Sequence, residues 1–376
     1  MNAQLWGDRA DAAEAAVVAR HLRRVWALPF TKLGVVAYPA VPKERIAWLP
    51  WHYWWQAHLI DCAIDAAERD VTPRRLKRVE KLFRSHRLRN TTGWTNTFYD
   101  DMAWLGLALE RAERNLLIDH RSPIATLEAE LYDSWAPEQG GGIPWCKGSD
   151  FYNAPANGPA GIMLARTGKI WRAQEMADWI DTTLRDPESG LIFDGIRPAR
   201  TEHKMERTFY TYCQGVTLGL ETELAVQVGD PRHSARVHAL VDAVERGMTT
   251  NGVIFGVGGG DGGLFSGILA RYLAFVATTL PGVTPLDRAA RAKAAAIVTT
   301  SATAAWDNKH DHEGLPVFGP DWSVPAQVPG VGDAIARFTD GAVGSSSIPE
   351  RDFSVQLSGW MVLEAAARAE RKNSPI

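Results

Sequence analysis

The sequence predicts an all-α protein built from paired helices. Apolar residues recur at helical spacing along most of the chain, whereas the alternation typical of strands is scarce. Long segments rich in Gly, Pro and Trp separate the helical segments. These observations favour helical hairpins whose inner helices are apolar nearly all round, with the long loops gathered over one end. Closure of such hairpins into a ring is not visible in the periodicity.

Twelve helices follow from the apolar spacing, and they fall largely in pairs. The predicted helices are 8–26, 50–69, 73–87, 101–113, 123–135, 151–167, 169–185, 209–228, 231–249, 263–279, 286–304 and 351–371. The loops between them are 28–48, 86–100, 136–150, 186–208, 250–262 and 305–350. Loops of this length in a compact domain are more often functional than idle. Because no composition break marks a linker and no repeat is visible, we expect a single domain over residues 1–376.

The composition indicates a globular protein without affinity for polyanions. The chain has 376 residues, 45% of them hydrophobic and 23% charged, so it can bury a large core. Its 41 Lys and Arg residues against 44 Asp and Glu residues give a net charge of -3. This balance provides no electrostatic footprint for nucleic acid. A neutral or weakly charged ligand is the better expectation.

The cysteines and the N-terminus indicate the compartment. Cys62, Cys146 and Cys213 are odd in number, far apart and without C-x-x-C spacing, so we expect reduced thiols and neither a disulfide framework nor a zinc site. The first residues lack a basic region followed by an apolar one, and we expect no membrane span. As written, the chain is predicted to be cytoplasmic; an upstream start would remove this prediction and leave secretion open. The sequence does not determine the oligomeric state.

Two neighbouring aspartates, Asp100 and Asp101, are the predicted catalytic pair. They lie in an aromatic run that leads directly into an apolar helical pattern. Glycoside hydrolysis needs one carboxyl group to protonate the leaving oxygen and a second to attack the anomeric carbon or to activate water. The alternative is a helix start, since Asp is a favoured N-cap and the helix dipole stabilises a carboxylate there. The two interpretations are compatible.

The adjacency of the two acids also bears on stereochemistry. Consecutive Cα atoms lie about 3.8 Å apart, and side chains that splay from them can bring the carboxyl groups to about 5–5.5 Å, the separation in retaining enzymes. Inversion needs about 6.5–9.5 Å so that a water molecule fits between the groups. Adjacency therefore favours retention.

Aromatic side chains near the pair are candidate stacking platforms for sugar rings. The chain has fifteen tryptophans, and Trp94, Trp145 and Trp322 fall in irregular segments, where an indole more often lines a cleft than fills a core. Tyr99 directly precedes Asp100. Trp104 lies one helical turn beyond Asp100, so both a core position and a cleft position remain open for it.

Polar side chains supply candidate contacts to sugar hydroxyl groups. Asn96, Tyr212 and Gln214 carry suitable donors and acceptors. Their alternative is local capping or a satisfied buried polar group. On the helix predicted from residue 50, His58 and Asp61 share a face, which favours an ordinary hydrogen-bonded pair. The alternative there places Trp54 or Trp55 at a cleft wall.

Two further motifs resemble a dinucleotide-binding site and a metal site, but their surroundings favour neither function. Residues 258–263 match G-x-G-x-x-G, but no βαβ unit surrounds them, so we expect the glycines to let backbone approach a sugar, with Asp261 as a hydroxyl contact. The run His310-Asp311-His312-Glu313 falls in a long polar loop without a helical H-x-x-x-H pair. No metal and no other cofactor is predicted.

Five blocks of the sequence resemble glycoside hydrolase family 76, the endo-α-1,6-mannanases, and they occur in the family's order. The blocks are Phe98–Trp104, Gly140–Trp145, Tyr210–Val216, Asp261–Tyr272 and Ser354–Trp360. The resemblance extends from about residue 50 to residue 370. It implies an (α/α)6 toroid that cuts α-1,6-linked mannan with retention. It also implies that Asp100 is the nucleophile and Asp101 the general acid/base.

The family blocks suggest further contacts and contain two departures. Arg271, in the fourth block, is a predicted substrate contact. Cys213 stands where the family commonly has Asn, and Ser266 stands where Lys is frequent, so subsite contacts or substrate choice can differ there. Many relatives are secreted, which this N-terminus does not suggest.

The predicted function is retaining, endo-acting hydrolysis of α-1,6-linked mannan. An oligosaccharide or polysaccharide is therefore the expected partner. A second hypothesis is a sugar isomerase or epimerase on the same toroid, which would use histidines instead of paired acids. A third is a non-catalytic α-mannan-binding protein, for which the departures at Cys213 and Ser266 are the only motive. Whether the mannan is linear, branched or lipid-linked is not determined by the sequence.

Overall fold

The computed structural model describes residues 2–46, 48, 50–91, 93–198, 204–330, 336–339 and 341–373. Parts of the predicted loops 28–48, 86–100, 186–208 and 305–350 therefore lie outside the described residues. All predicted site residues lie within them.

The described residues form thirteen α-helices, which confirms the all-α class. The helices are α1 Asn2–Arg20, α2 Pro42–Arg45, α3 Tyr53–Arg69, α4 Pro73–Arg89, α5 Tyr99–Leu116, α6 Arg121–Asp133, α7 Ala154–Arg166, α8 Ile170–Trp179, α9 Thr211–Gln227, α10 Pro231–Gly247, α11 Phe265–Thr279, α12 Pro285–Asp307 and α13 Phe353–Asn373. Each of the twelve predicted helices has a counterpart among them. Only the four-residue α2 was not predicted.

The first helix is the least accurately predicted. It was expected at 8–26, but α1 ends at Arg20. The chain then forms a short strand, Leu22–Arg23, that pairs antiparallel with Leu33–Gly34. Because this pairing joins segments that the local apolar spacing does not connect, periodicity alone extended the helix too far.

Short strands lie within the predicted loops. They are β1 Leu22–Arg23, β2 Leu33–Gly34, β3 Tyr152–Asn153, β4 Gly195–Arg197, β5 Lys204–Glu206, β6 Thr249–Thr250, β7 Val253–Ile254, β8 His310–His312, β9 Leu315–Val317, β10 Phe338–Thr339 and β11 Ala342–Val343. Strands β3, β4 and β5 make a three-stranded sheet, and the others pair in twos in chain order. These strands shape loops and do not form a core sheet.

The chain divides into two compact units. Unit 1 comprises Met1–Thr91, Thr250–Arg271 and Ile297–Ile376, and unit 2 comprises Thr92–Thr249 and Tyr272–Ala296. The expectation of a single catalytic domain over 1–376 stays a prediction.

Unit 1 is built on α1, α3, α4 and α13. Helix α13 packs against both α1 and α3, and α3 packs against α4. Trp55 and Trp360 are fully buried among these helices. Arg69 of α3 donates from Nε to Glu364 Oε2 of α13 at 2.9 Å, so an ion pair accompanies the apolar packing. Trp322, which was expected to line a cleft, is only 2% exposed, so that expectation is wrong.

Unit 2 contains the successive pairs α5/α6, α7/α8 and α9/α10, together with parts of α11 and α12. Helix α7 packs against both α5 and α9. The inner helices approach closely because glycines face their neighbours. A Cβ on Gly106 of α5 would lie 2.2 Å from Met163 Sδ of α7, and one on Gly158 of α7 would lie 2.5 Å from Val216 of α9. Nearly every residue of α7 is buried. This burial confirms the expectation of inner helices that are apolar nearly all round.

One described segment, Gly260–Thr279, is long and apolar enough to cross a membrane, contrary to the sequence expectation that none is. However, 72% of its window is buried inside the structure. Core helices satisfy the same length and composition criteria, so this segment is weak evidence for a membrane span.

Candidate active site

The first turn of α5 carries Asp100 and Asp101. The helix begins at Tyr99, and the preceding Phe98 has an extended backbone and no side-chain capping bond. The aspartates are therefore first-turn residues and not N-caps. Both are half-buried, whereas Met102 onward turns into the core. The helix N-terminus stabilises negative charge at this position.

Asp100 is held by donors on both carboxylate oxygens. The backbone N–H of Asp101 donates to Oδ1 at 2.8 Å. The indole Nε1–H of Trp145 donates to Oδ2 at 3.0 Å. An ionised carboxylate is an acceptor-only group, so two donors fix the orientation of the anionic form.

Asp101 is positioned by Asn96. The amide Nδ2 of Asn96 donates to Asp101 Oδ2 at 2.6 Å. Its Oδ1 accepts from the backbone N–H of Phe98 at 2.8 Å, so both ends of the amide are engaged. Asn96 therefore contacts the second acid, and its predicted contact with a sugar hydroxyl stays a prediction.

Backbone pairing places Trp145 beside Asp100. Tyr99 N donates to Trp145 O at 2.9 Å, and Lys147 N donates to Thr97 O at 2.9 Å. The rings of Phe98 and Trp145 lie 5.1 Å apart, between centroids, at 54°. The loop before α5 and the segment around Trp145 therefore act as a short antiparallel pair. This pairing brings together residues 45 positions apart.

The glycine-rich block before Trp145 allows a close approach to an indole. Gly142 has a φ of 85°, and a Cβ there would lie 2.8 Å from the ring of Trp179. The buried Asn157 accepts from Ile143 N at 2.8 Å and donates to Ile143 O at 2.9 Å. It also donates to Asn153 O at 2.9 Å. This side chain clamps the loop that presents Trp145.

At the start of α9, Tyr212 and Gln214 differ in burial and in their contacts. Tyr212 is half-buried, and its ring lies 5.9 Å from that of Tyr210. Gln214 is fully buried, accepts from Ile192 N at 2.8 Å, and donates to Ile192 O at 2.8 Å and Tyr210 O at 3.0 Å. In this structure Gln214 is therefore a buried polar side chain whose hydrogen bonds are satisfied by backbone atoms.

Asp194 is an acidic residue that the sequence did not single out. Burial raises the pKa of its carboxyl to about 6, against which the thiol of Cys213 acts. The Cys213 thiol lies 3.6 Å from Asp194 Oδ1 and donates to it. Asp194 directly precedes β4, and β4 pairs with β3. Because Pro144 forms a bridge with Tyr152 of β3, Asp194 and Trp145 belong to one connected frame.

Little in the sequence around Asp194 indicates that this residue is buried beside a cysteine. It follows two apolar residues and precedes Gly195, where a Cβ would lie 2.5 Å from Tyr152 O. An Asp-Gly pair is typical of an ordinary turn. The burial that distinguishes Asp194 comes from the packing around it.

The aromatic residues predicted near the site differ in burial. Trp94 is half-buried, as are Tyr99 and Trp145. Trp104 is only 5% exposed, which decides between its two open interpretations in favour of the core.

In unit 1, Asp261 holds two indoles and a loop. Its Oδ1 accepts from Trp55 Nε1 at 2.8 Å and from Trp54 Nε1 at 3.1 Å. Its Oδ2 accepts from Val343 N at 2.6 Å. Burial raises the pKa of this carboxyl to about 6, and the three N–H donors act against the rise. Trp55 is fully buried and Trp54 is half-buried.

Arg271, also in unit 1, is engaged with acidic residues of α3. It donates from Nη2 to Asp65 Oδ2 at 2.6 Å and forms an ion pair with Asp61. Its Nη2 also lies 3.6 Å from the Cys62 thiol. The guanidinium therefore has a structural partner set, while its predicted substrate contact stays a prediction.

The remaining candidate residues form no metal site within the described part of the chain. His310–His312 forms β8, which pairs with β9 at the surface. No group of three or more His, Cys, Asp or Glu side chains suited to a metal occurs among the described residues. All three cysteines are free thiols. Ser266 is buried and donates to Phe255 O at 2.6 Å.

The chain matches one protein family and is similar to several solved structures. Glycosyl hydrolase family 76 matches residues 15–339. The α-1,6-mannanase GH76A of Salegentibacter sp. HEL1_6 is 28% identical, over 97% of this chain and 99% of that chain, with a TM-score of 0.80. An inactive variant of that mannanase, with two consecutive aspartates changed to asparagine, was solved with α-1,6-mannotriose and is 27% identical, over 97% and 99% of the two chains, with a TM-score of 0.80.

A more distant neighbour supports the fold alone. A protein of Listeria innocua is 22% identical, over 98% of both chains, with a TM-score of 0.80. No curated protein matches the chain. The predicted fold class, an (α/α)6 toroid, is confirmed by these neighbours. Since the family match covers most of its residues, the chain belongs to glycosyl hydrolase family 76.

Proposed function

We propose that this family 76 glycoside hydrolase cleaves α-1,6-linked mannan within the chain and with retention. The observation that supports it most directly is the different environment of two adjacent carboxyl groups. Asp100 receives the Trp145 indole N–H, and Asp101 receives the Asn96 amide N–H. Neighbouring acids with distinct partners suit a division of labour between attack and proton transfer.

In the first step, an oxygen of Asp100 forms a bond to the anomeric carbon. The bond from that carbon to the leaving oxygen breaks, and Asp101 transfers its proton to that oxygen. The shortened mannan leaves, and the remaining sugar is attached to Asp100 as an ester. Trp145 holds the attacking carboxylate in place, and no cofactor takes part.

In the second step, Asp101 removes a proton from water. The water oxygen attacks the anomeric carbon, the ester bond to Asp100 breaks, and Asp101 is again protonated. Two displacements at the same carbon restore its configuration. Asn96 keeps Asp101 at one position in both steps by its 2.6 Å hydrogen bond.

The substrate class rests on the relatives. The Salegentibacter neighbour is an α-1,6-mannanase, and its inactive variant was solved with α-1,6-mannotriose. Half-buried Trp94, Tyr99 and Trp145 offer aromatic faces on which sugar rings can stack.

The proposal is tested by separate substitutions Asp100→Asn and Asp101→Asn, assayed on linear α-1,6-mannan. Each is expected to lower kcat by about a hundredfold to ten-thousandfold. The matched control is Asp150→Asn in the same unit, whose side chain is 78% exposed and pairs with Arg197 at 3.5 Å. Near-normal turnover by both acid variants would remove the mechanism.

An activated aryl α-mannoside separates the two roles. Its leaving group needs no proton, so Asp101→Asn should still release a burst of the phenol and then stall at the ester. Asp100→Asn should give no burst. Equal bursts from both variants would contradict the assignment, and NMR of the first-formed anomer checks retention.

Product analysis separates the competing functions. A rapid fall in mannan viscosity supports cleavage within the chain, whereas release of mannose alone supports attack at the end. A changed sugar without glycosidic cleavage would support an isomerase or epimerase. Tight oligosaccharide binding with intact ligand after prolonged incubation would support a non-catalytic binding protein.

A further inference from the structure

A loop of unit 1 presents three large apolar side chains to solvent. Trp26 is 42% exposed, Leu28 41% and Phe30 70%. They lie within five consecutive residues, between strands β1 and β2. Isolated exposed apolar residues are ordinary, but a cluster at the tip of one loop marks an interaction site.

The loop holds these side chains outward with a strained backbone. Trp26, Ala27 and Phe30 have φ values of 48°, 60° and 61°, in the left-handed region that L-residues with a Cβ disfavour. The Thr31 hydroxyl donates to Leu28 O at 2.7 Å and accepts from Val25 N at 3.1 Å, which closes the loop. Such strain persists only where the surroundings impose it, and it is frequent at functional sites.

Basic residues surround the loop. Segments 22–46 and 73–89 contain thirteen Lys and Arg residues and only two Glu residues, in a chain whose net charge is -3. One of the two, Glu44, is only 1% exposed. The cations are therefore concentrated in this part of the chain and not spread evenly.

Helix α4 places many of these cations on one face. Arg74, Lys77, Arg84 and Arg87 are exposed, while Val79, Leu82 and His86 face the core. Arg75 and Arg78 are engaged with Glu14. These cations are spaced three, seven and three residues apart on the exposed side of the helix, and the exposed Glu80 is the one acid among them.

The loop and the helix belong to one surface. Lys32 N, at the end of the loop, donates to Ser85 Oγ of α4 at 2.8 Å. The guanidinium carbon of Arg89 lies 5.7 Å from the centroid of the Trp26 ring. Burial, and after it the charges of Arg23, Arg24, Lys81 and Arg78, lower the pKa of Lys32, which is consistent with the placement of these cations around Lys32.

We infer that this loop and the exposed face of α4, which together we call the aromatic–basic surface, dock on an anionic lipid membrane. Trp, Leu and Phe side chains enter the boundary between headgroups and acyl chains, and the surrounding Lys and Arg residues pair with anionic headgroups. The chain lies on the membrane through this surface. The inference does not depend on which glycosidic bond the active site cuts.

Other occupants fit less well. A second copy of the chain would bring two strongly cationic faces together, which electrostatic repulsion opposes. A soluble polyanion would satisfy the Lys and Arg residues but would leave Leu28 and Phe30 in water, with no gain from their exposure. Only an anionic surface with an apolar interior uses both parts.

Vesicle sedimentation with the full chain tests the inference. Vesicles of phosphatidylcholine alone are compared with vesicles that also contain phosphatidylglycerol, at low and high salt. Binding is expected only to the anionic vesicles, and it should weaken as salt screens the charges. No binding to either vesicle would overturn the inference.

Matched variants assign the binding to the surface. Arg84→Gln should lower the partition coefficient about fivefold, since each cation near an anionic membrane is worth about that factor. Phe30→Ser should lower it roughly tenfold through lost apolar burial. The controls Arg246→Gln and Phe338→Ser change an exposed Arg on α10 and a 59% exposed Phe in β10, and should leave binding unchanged.

Three outcomes would overturn the assignment. Equal binding by Phe30→Ser and Phe338→Ser would remove the apolar contribution, and equal binding by Arg84→Gln and Arg246→Gln would remove the basic one. Binding of soluble polyphosphate that Phe30→Ser does not weaken, without vesicle binding, would assign the surface to a polyanion. Urea unfolding curves that match those of the unaltered protein would show that both surface variants keep the fold.

Discussion

Replacing Asp194 by Asn should raise the free energy of unfolding above that of the unaltered protein, and the difference should grow between pH 4 and 7. Burial raises the pKa of this carboxyl from 3.8 to about 6. Between these values the native state binds a proton that the unfolded chain has released, so the stability of the native state falls with increasing pH. Above about pH 6 the penalty is complete. Asn keeps the side-chain oxygen that accepts from the Cys213 thiol, but it does not ionise.

The size of the effect follows from the shift. A change of about two pKa units corresponds to roughly 3 kcal/mol, and partial exposure of Asp194 reduces this to about 1–3 kcal/mol. The assay is urea unfolding of the Asp194→Asn variant and the unaltered protein at each pH from 4 to 8. The difference in unfolding free energy should grow up to about pH 6 and then level off. Asp150→Asn, at an exposed position, is the control and should show no such growth. Parallel curves for Asp194→Asn and the unaltered protein would refute the reasoning.

Three further predictions concern the frame of the active site. Asn96→Ala removes the N–H that holds Asp101 and should lower kcat about tenfold to hundredfold with little change in KM, as steady-state kinetics on mannan will show; an unaltered kcat would contradict the positioning role. Trp145→Phe keeps a ring beside Phe98 but removes the donor to Asp100, so kcat/KM should fall about tenfold, whereas Trp171→Phe at a 77% exposed position should have no effect. Asn157→Ala leaves buried backbone groups of the loop without their partner and should lower the unfolding free energy by about 3 kcal/mol in urea titration; a loss below about 1 kcal/mol would show that the clamp is dispensable.

Much of the fold was predictable because helices are local. Each predicted helix has a counterpart, and boundary errors are small where the chain continues into ordinary loops, as at α4 and α10. The exception is α1, where Leu22–Arg23 leaves the helix to pair with β2. Apolar spacing reports on neighbours three and four positions away, so it does not detect such a pairing.

The candidate site was predictable in composition and less so in roles. Gln214 bonds to the backbone of Ile192 and Arg271 bonds to Asp65, so both have structural partners. Their predicted contacts with sugar stay predictions. Asn96 contacts Asp101. A polar side chain near a site serves substrate or scaffold according to which partner the fold brings to it, and that partner is usually distant in sequence.

The sequence by itself determined the helical architecture and the adjacency of Asp100 and Asp101, because periodicity and covalent neighbourhood are local properties. Only the tertiary structure decided that the Trp145 indole donates to Asp100, because the two residues are 45 positions apart. It also decided that Asp194 is buried against Cys213 and holds its proton to higher pH. Hydrogen-bond partners and desolvation depend on where the chain returns in space, and local spacing carries no information about that return.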